Sequence, residues 1–405
     1  MPDKSIDTQK RYFGLDIHQH YFVVEAVNRE LETVYSHKRV LNEALEDWAK
    51  RVLTPQDDLV LEMTTNAYLF YDTLAPYAHS VMVVHPPNVP EVTSARVKTD
   101  KQAAETLAKL LATGMLKGKE VWIPPHEVRD LRALVAHREK MIHLSTAAKN
   151  RLRALEHRKH LELPDNPFSP EQRTWWENLE LSTTEKLLVL SDLDTLVFAR
   201  KQIEQIEESL KLQSAQEERI PLLVQLPGVG MLTAMTILAA IGDISRFPNA
   251  KKLVGYAGLG TSVHDSGMSH THGRITKAGR KDLRYAMVNA ANNAVENHPY
   301  WQEQFHRLEP RLGRQKTIVT IARKLLVAVW HVLTRAVPDR FSTPEIVANR
   351  FMNYVYAIRV RNMPGRQPAA AFTRTQLDRL GIGKDLQKIR HRSRAVQLPL
   401  STQKK

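Results

Sequence analysis

The apolar positions of this 405-residue chain change their period several times. From residue 11 to about 125, short runs of β-branched and aromatic residues alternate with stretches of helical spacing. RYFGLDIHQHYFVVEAV and ETVYSHKRV predict strands, because Val, Ile, Tyr and Phe suit a pleated, half-buried surface. DLVLEMT and SVMVVHP are short, almost wholly apolar runs that end in polar turns, the pattern of buried strands. NEALEDWAKRVL, NAYLFYDTLAPY and KTDKQAAETLAKLLATG space their apolar residues as amphipathic helices do. Strands alternating with helices predict an α/β domain with a mixed sheet over residues 1–125. The WIPP tetrapeptide then ends the pattern, since proline removes a backbone donor.

The next period is longer. EVRDLRALVAHREKMIHLSTAAKNRLRALEHRKH predicts one helix over 127–160, with Leu131, Leu134, Val135, Ile142 and Leu152 as its apolar positions. ELPDNPFSP interrupts, and a second helix follows over roughly 183–219. Two long helices with a short break predict an antiparallel coiled-coil arm over residues 126–220. The first of them is basic, which makes Arg151 and Arg153 candidates for gripping nucleic acid. PLLVQLPGVGMLTAMTILAAIGDI opens a mainly helical region over 221–340, and residues 341–405 read as a basic, Pro-interrupted extension.

Charge sharpens this picture. The chain has 58 Lys and Arg against 44 Asp and Glu, a net charge of +14. A folded chain this basic meets a polyanion, most commonly nucleic acid. The chain has no Cys, so disulfides and Cys-based zinc sites are excluded. No apolar stretch is expected to reach the ~18 residues of a membrane span. The first residues, MPDKSIDTQKRY, lack the apolar run of a signal peptide. The expected compartment is the cytoplasm, with no membrane partner.

Three acids carry the candidate chemistry. Asp16 lies in the first strand, Glu62 ends LVLE, and Asp100 opens the KTDKQAAETLA helix. Carboxylates at neighbouring strand ends, joined by one from a packed helix, form the oxygen-rich site that Mg²⁺ prefers. Two such ions about 4 Å apart clamp a phosphodiester through attack and departure. A sugar-kinase or actin-like ATPase also begins with a strand and an Asp, but it wraps phosphate with a Gly-rich turn. Here Ile17, His18, Gln19 and His20 follow Asp16. The alternation of His18 and His20 puts both on one sheet face, expected to look into solvent.

Two further motifs lie in the C-terminal half. LPGVG has the pattern of a helix-hairpin-helix, in which amides near Gly228 and Gly230 meet a DNA phosphate at a helix N-terminus. GLGTSVHDSGMSHTHGRITKAGRKDLRYA reads as a Gly-containing loop bearing Ser262, Ser266 and Ser269. The cations Arg274, Lys277, Arg280, Lys281 and Arg284 follow, largely at a helix start. A serine beside such cations attacks a phosphate once a base or metal activates it. His264, His270 and His272, a linear cluster without acids, read as solvent-facing.

Taken together, GLDIH, LVLEMT, KTDKQAAETLA, LPGVGMLTAMTILAAIGD, YAGLGTSVHDSG and GRITKAGRKDLRYA resemble one family. It is that of the DEDD transposases of the bacterial one-ten and eleven-eleven insertion sequences, relatives of the pilin-gene invertase. The resemblance runs over about residues 11–335. It implies a RuvC-like, RNase H-type N-terminal domain, a coiled-coil arm and a mainly helical C-terminal transposase domain. It further implies acids that hold Mg²⁺, a serine that forms a covalent phosphoserine link to DNA, and a structured guide RNA that pairs with donor and target DNA. Asp16, Glu62 and Asp100 match the first three acids; Ser266 matches the nucleophile, with Ser262 in reserve. The family's fourth acid should stand three residues after Asp100, where this chain has Ala103. Residues three apart share a helix face, whereas Glu105, five on, points about 140° away. Either an engineered, disabled variant or a degenerate element accounts for Ala103.

The reading is an RNA-guided DNA recombinase weakened at Ala103. A RuvC-like hydrolytic nuclease and a non-catalytic nucleic-acid-binding protein are the alternatives. Because recombination cuts several strands in concert, a homo-oligomer is expected, dimer or tetramer, with acids of one subunit serving Ser266 of another. With Ala103 in place, the protein is expected to bind nucleic acid through phosphate contacts, so its affinity falls steeply with salt as counterions are released. Filter binding or anisotropy across a salt series measures this; a nearly flat plot of log affinity against log salt rules the mode out.

Overall fold

The computed structural model describes residues 10–93, 99–266 and 269–402, and only the backbone of residues 92–93, 263–266, 269–272 and 274. The chain forms two compact units, residues 1–125 and 126–405.

The first unit is built on strands β1 (Tyr12–Ile17), β2 (Tyr21–Val27), β3 (Thr33–Leu41), β4 (Asp58–Glu62) and β5 (Ser80–Val84). Helices α1 (Leu45–Val52), α2 (Ala67–Leu74), the single turn α3 (Pro90–Thr93) and α4 (Asp100–Ala112) accompany them. The strands lie in the order β3–β2–β1–β4–β5. β1, β2 and β3 are antiparallel neighbours, whereas β4 runs parallel to β1 and β5 parallel to β4. This is the mixed sheet expected of an RNase H-like domain. One boundary differs from the sequence reading: the first apolar run is two strands, not a continuous one. The His18 amide donates to the Tyr21 carbonyl at 2.8 Å and turns the chain. Asn42 donates to the carbonyls of His18 and Gln19, and Asn66 also donates to that of His18, so side chains from two other segments hold the turn.

Alternation along β1 sends its residues into two layers. Phe13, Leu15 and Ile17 face a core with Phe22, Trp48, Leu59, Leu61 and Phe70, under α1 and α2. The opposite face, which carries Gly14 and Asp16, is covered by α4, whose Leu107 and Leu110 pack with Val60 and Val84. At Gly14 the approach is backbone to backbone. A Cβ there would fall 2.0 Å from the Ala104 carbonyl oxygen and 2.6 Å from the Ala108 nitrogen.

The second unit begins with α5 (His126–Lys159), α6 (Arg173–Glu177) and α7 (Thr183–Gln216). At 34 residues each, α5 and α7 are about 50 Å long. Their ion pairs run in opposite senses along the two helices: Arg138 to Glu207 at 2.6 Å, Arg151 to Asp192 at 2.5 Å, and Lys159 to Glu185 at 3.0 Å. The helices are therefore antiparallel. Trp176 of α6 is buried among Leu152, Leu155, Val189 and Leu193.

The remaining elements are α8 (Ile220–Val224), α9 (Met231–Ile241), α10 (Ala250–Tyr256), β6 (Thr261–Ser266), β7 (Ser269–Ile275), α11 (Lys281–Asn297), α12 (Pro299–Leu312), α13 (Arg314–Arg335), α14 (Pro344–Ile358), α15 (Ala369–Arg379), β8 (Lys388–His391) and β9 (Arg394–Gln397). Helix α9 is apolar nearly all round and lies inside the core. Helix α13 is, contrary to the sequence expectation, long and apolar enough to cross a membrane by length and composition. Its Ile318, Ile321, Leu325, Val329 and Val332 form a stripe buried in that same core. The C-terminal segment also joins it, through Phe351, Phe372, Leu377, Ile389 and Leu398. Arg374, one of the basic residues of that segment, is 4% exposed and donates to the carbonyls of Pro399, Gly383 and Leu386. The predicted serine loop is instead the antiparallel hairpin β6–β7, with Ser266 opposite Ser269.

Because Ala104 and Ala108 leave no slack over β1, Gly14→Ala is expected to cost roughly 1–3 kcal/mol through overpacking. Hydrogen exchange should speed up in β1 and α4; unchanged protection there would contradict the packing argument.

Candidate active site

The contact at Gly14 sets the site. Gly14 and Asp16 share a face of β1, two residues apart. Ala104 lies on Gly14, and Asp100, one helical turn earlier on α4, therefore comes over Asp16. Thr99 fixes the helix start, its side-chain oxygen accepting from the Gln102 amide at 3.2 Å. The turn after β1 then brings His18 back: its Nε2 lies 3.4 Å from Asp16 Oδ2 and 3.2 Å from Asp100 Oδ2. One ligand atom from each of Asp16, His18 and Asp100 lies within 4.8 Å of the other two.

The expected solvent-facing histidine pair is thus corrected. His20 is exposed, but His18 keeps the parity of Gly14 and Asp16, and that face is covered by α4 and its Asp100, not by solvent. Two residues escaped the sequence reading. The Tyr21 hydroxyl donates to Asp100 Oδ2 at 3.0 Å. Its ring packs on His18 with centroids 4.6 Å apart, and the Arg39 guanidinium sits 3.6 Å from the Tyr21 ring centroid. Only the β2–β3 register brings Arg39 near Tyr21.

Glu62 ends β4, and the pairing of Leu15 with Leu61 puts it level with Asp16, one strand spacing of about 4.8 Å away. Its carboxylate is not part of the 4.8 Å group formed by the other three residues. Ala103 is half-buried on α4, its amide bonded to the Thr99 carbonyl at 2.9 Å. Glu105 pairs with Lys109 at 2.6 Å, along its own side of the helix. Burial pushes the Asp16 carboxyl above its ordinary pKa; nearby His18 opposes this and Asp100 adds to it. The Tyr21 hydroxyl is also raised, chiefly by its hydrogen bond to Asp100.

In the second unit, Ser266 ends β6, and its side chain, like those of Ser269, His264, His270, His272 and Arg274, lies outside the described ones. Ser262 Oγ sits against Gly273 of the paired strand, 2.1 Å from where a Cβ on that glycine would be. Lys277 and Lys281 are exposed. Arg280 pairs with Asp282, and Arg284 donates to the Ala257 carbonyl at 2.9 Å, so both serve the fold. Gly230 caps α9, exposed and with open space around it. Gly228 has a packing reason: its φ is +75°, and a Cβ would fall 1.9 Å from the Ala290 carbonyl oxygen of α11. Arg151 bridges α5 to Asp192 of α7, with its side chain still 56% exposed. Arg153 lies 5.4 Å from the Phe168 ring centroid, in a notch also lined by Lys149 and Arg200.

A sheet of this order with carboxylates converging at its central strand, followed by a mainly helical unit, defines an RNase H-like domain joined to a helical partner. Residues 13–157 match an IS110-type DEDD family described as a transposase, and residues 220–307 match the IS116/IS110/IS902 transposase family. Together the two matches span more than half of the chain. The transposase for insertion sequence element IS1111A of Coxiella burnetii is 26% identical over 295 residues, 68% of this chain and 78% of its own length. The pilin gene-inverting protein of Moraxella bovis is 28% identical over 292 residues, 69% of this chain and 81% of its own. A probable family 20 transposase of Pseudomonas aeruginosa is 22% identical over 338 residues, 80% and 96% of the two chains. The chain belongs to the IS110-type DEDD transposase family.

The raised pKa of Asp16 means the fold favours its protonated form, a contribution that is lost as pH rises through the folded-state value. In chelator at neutral pH, Asp16→Asn is therefore expected to melt higher than the parent chain. The gap should close as the pH falls and Asp16 takes up its proton; a gap that widens toward acid would contradict the assignment.

Proposed function

We propose that the chain is a DNA transposase or recombinase that cuts and rejoins strands through a phosphoserine intermediate, guided by a structured RNA and weakened by Ala103. The observation that carries the reading is the convergence of Asp16 and Asp100 at the end of β1, with Glu62 level on the next strand. Two carboxylates aimed at one point suit a hard divalent cation. Asp16, Glu62 and Asp100 would hold Mg²⁺, which supplies charge neutralisation at a phosphate and lowers the barrier to oxygen attack.

In the proposed step, Ser266 Oγ attacks a DNA phosphorus. A P–O(Ser) bond forms, one P–O(deoxyribose) bond breaks, the serine proton passes to a base or to water, and the leaving oxygen takes up a proton. One phosphodiester is exchanged for another ester, so no energy-rich co-substrate is consumed. A hydroxyl from a different strand then displaces the serine by the reverse chemistry. Lys277 and Lys281, both exposed and following the hairpin that carries Ser266 in the chain, and the exposed Gly230 at the start of α9 offer phosphate contacts. The net charge of +14 supports RNA and DNA as partners, and a dimer or tetramer would serve several strands in concert.

The test uses the Ala103→Asp chain with its RNA and DNA. Strand exchange is expected to rise by about tenfold to a hundredfold, the scale of recovering a group that orients a metal site. Denaturing gels should show a protein–DNA adduct that disappears in Ser266→Ala. Strand cleavage without an adduct would favour a hydrolytic nuclease, and binding without cleavage a non-catalytic role.

A further inference from the structure

The acidic centre holds a donor that is not one of its acids. Nε2 of His18 is buried, and its approaches to Asp16 and Asp100 fall outside hydrogen-bond geometry. Three donor atoms from β1, its turn and α4 thus converge with His18 Nε2 bonded to neither carboxylate. The spacings suit an ion: around a six-coordinate cation with bonds of about 2.1–2.3 Å, adjacent ligand atoms stand about 3.0–3.3 Å apart. His18 Nε2 lies 3.2 and 3.4 Å from the two carboxylate oxygens.

The imidazole is also held. Its ring packs on Tyr21, the His18 backbone carbonyl accepts from Asn42 and Asn66, and Tyr21 donates to the same Asp100 oxygen that faces Nε2. Ligands oriented by such outer contacts keep their geometry when a metal arrives. Ala103, which offers no ligand atom, leaves this nitrogen as the third donor of the cluster.

We propose that His18 is a metal ligand of this centre beside Asp16 and Asp100, and that its nitrogen shifts the preference from Mg²⁺ toward a first-row transition ion such as Mn²⁺. The inference rests on the reading that the acids hold a divalent cation. Mg²⁺ seeks oxygen and sheds water reluctantly, whereas transition ions of similar geometry accept imidazole. His18 would act at the metal by direct ligation, not as an ion-pair partner of the acids.

The experiment is pulsed electron paramagnetic resonance on the full-length chain titrated with Mn²⁺ alone. The expected result is ¹⁴N modulation from one imidazole, absent in His18→Gln and absent when Asp16→Asn removes the site. Mg²⁺ should displace Mn²⁺ poorly from the parent chain. In His18→Asp, whose donor set is all oxygen, it should compete better by about tenfold or more, the scale of one ligand-shell change. Circular dichroism of the metal-free variants checks that they fold, and the measurement on the parent chain does not depend on them. Mn²⁺ that binds in an Asp16-dependent way without ¹⁴N coupling overturns the role of His18 and leaves the acidic centre standing. Mn²⁺ binding that is indifferent to Asp16 overturns both.

Discussion

The contact between Gly14 and the backbone of α4 governs the first unit. A strand residue without a Cβ and two alanines on the helix let the backbones of α4 and β1 meet at Gly14, beside the Leu107 and Leu110 side chains that pack on Val60 and Val84. Every other spacing follows from that one. The strand face that carries Gly14 carries Asp16 two residues on, and the helix face that carries Ala104 carries Asp100 one turn back. A bulkier residue at position 14 would lift the helix, and the two carboxylates would part by the same displacement. The packing of an apolar face and the geometry of an acidic centre are a single constraint.

Around it the unit supplies stiffness. The buried aromatics on the far side of the sheet, Phe13, Phe22, Trp48 and Phe70, fix the strands. The polar side chains of Asn42 and Asn66 fix the turn that carries His18. Tyr21 spans from Arg39 to Asp100, so charge from a strand two places away reaches the acids through an aromatic ring and a hydroxyl. The second unit solves a different problem. Two 34-residue helices expose much of their length, and ion pairs between α5 and α7 flank the apolar residues that join them, Arg151 to Asp192 beside Leu152 and Leu193 and Arg138 to Glu207 beside Val135 and Ile206.

The alternation of strands and helices over residues 11–125 was legible because each period was short and bounded by polar turns. So were the two long helices and the meeting of Asp16 with Asp100, whereas Glu62 stands level on the next strand, outside that group. What escaped did so for physical reasons. Alternation continues through IHQHY as though the strand did, and only the hydrogen bond from His18 to Tyr21 reveals the turn. Tyr21 and Arg39 meet through strand pairing, which no local pattern encodes. The glycines of LPGVG were read as one motif, yet Gly228 serves the packing of α11 while Gly230 stands open. The serine segment read as a loop because its glycines and histidines resemble linker, although TSVHDS and SHTHGRI are two residues apart, the spacing of a tight hairpin.

Asp16 and Asp100 are more than eighty residues apart in the chain and meet only through tertiary packing. An unfolded or half-folded chain has no such meeting point, so a cation that binds there binds the native unit alone. Occupancy then becomes a term in the folding equilibrium: at a hundred times its dissociation constant, a ligand of this kind adds about 2.7 kcal/mol to stability. Closing so distant a contact is also slow, since loop-closure entropy must be met before the pairing rewards it. An assembled acidic centre is therefore a mark that the sheet and α4 of the first unit have come together.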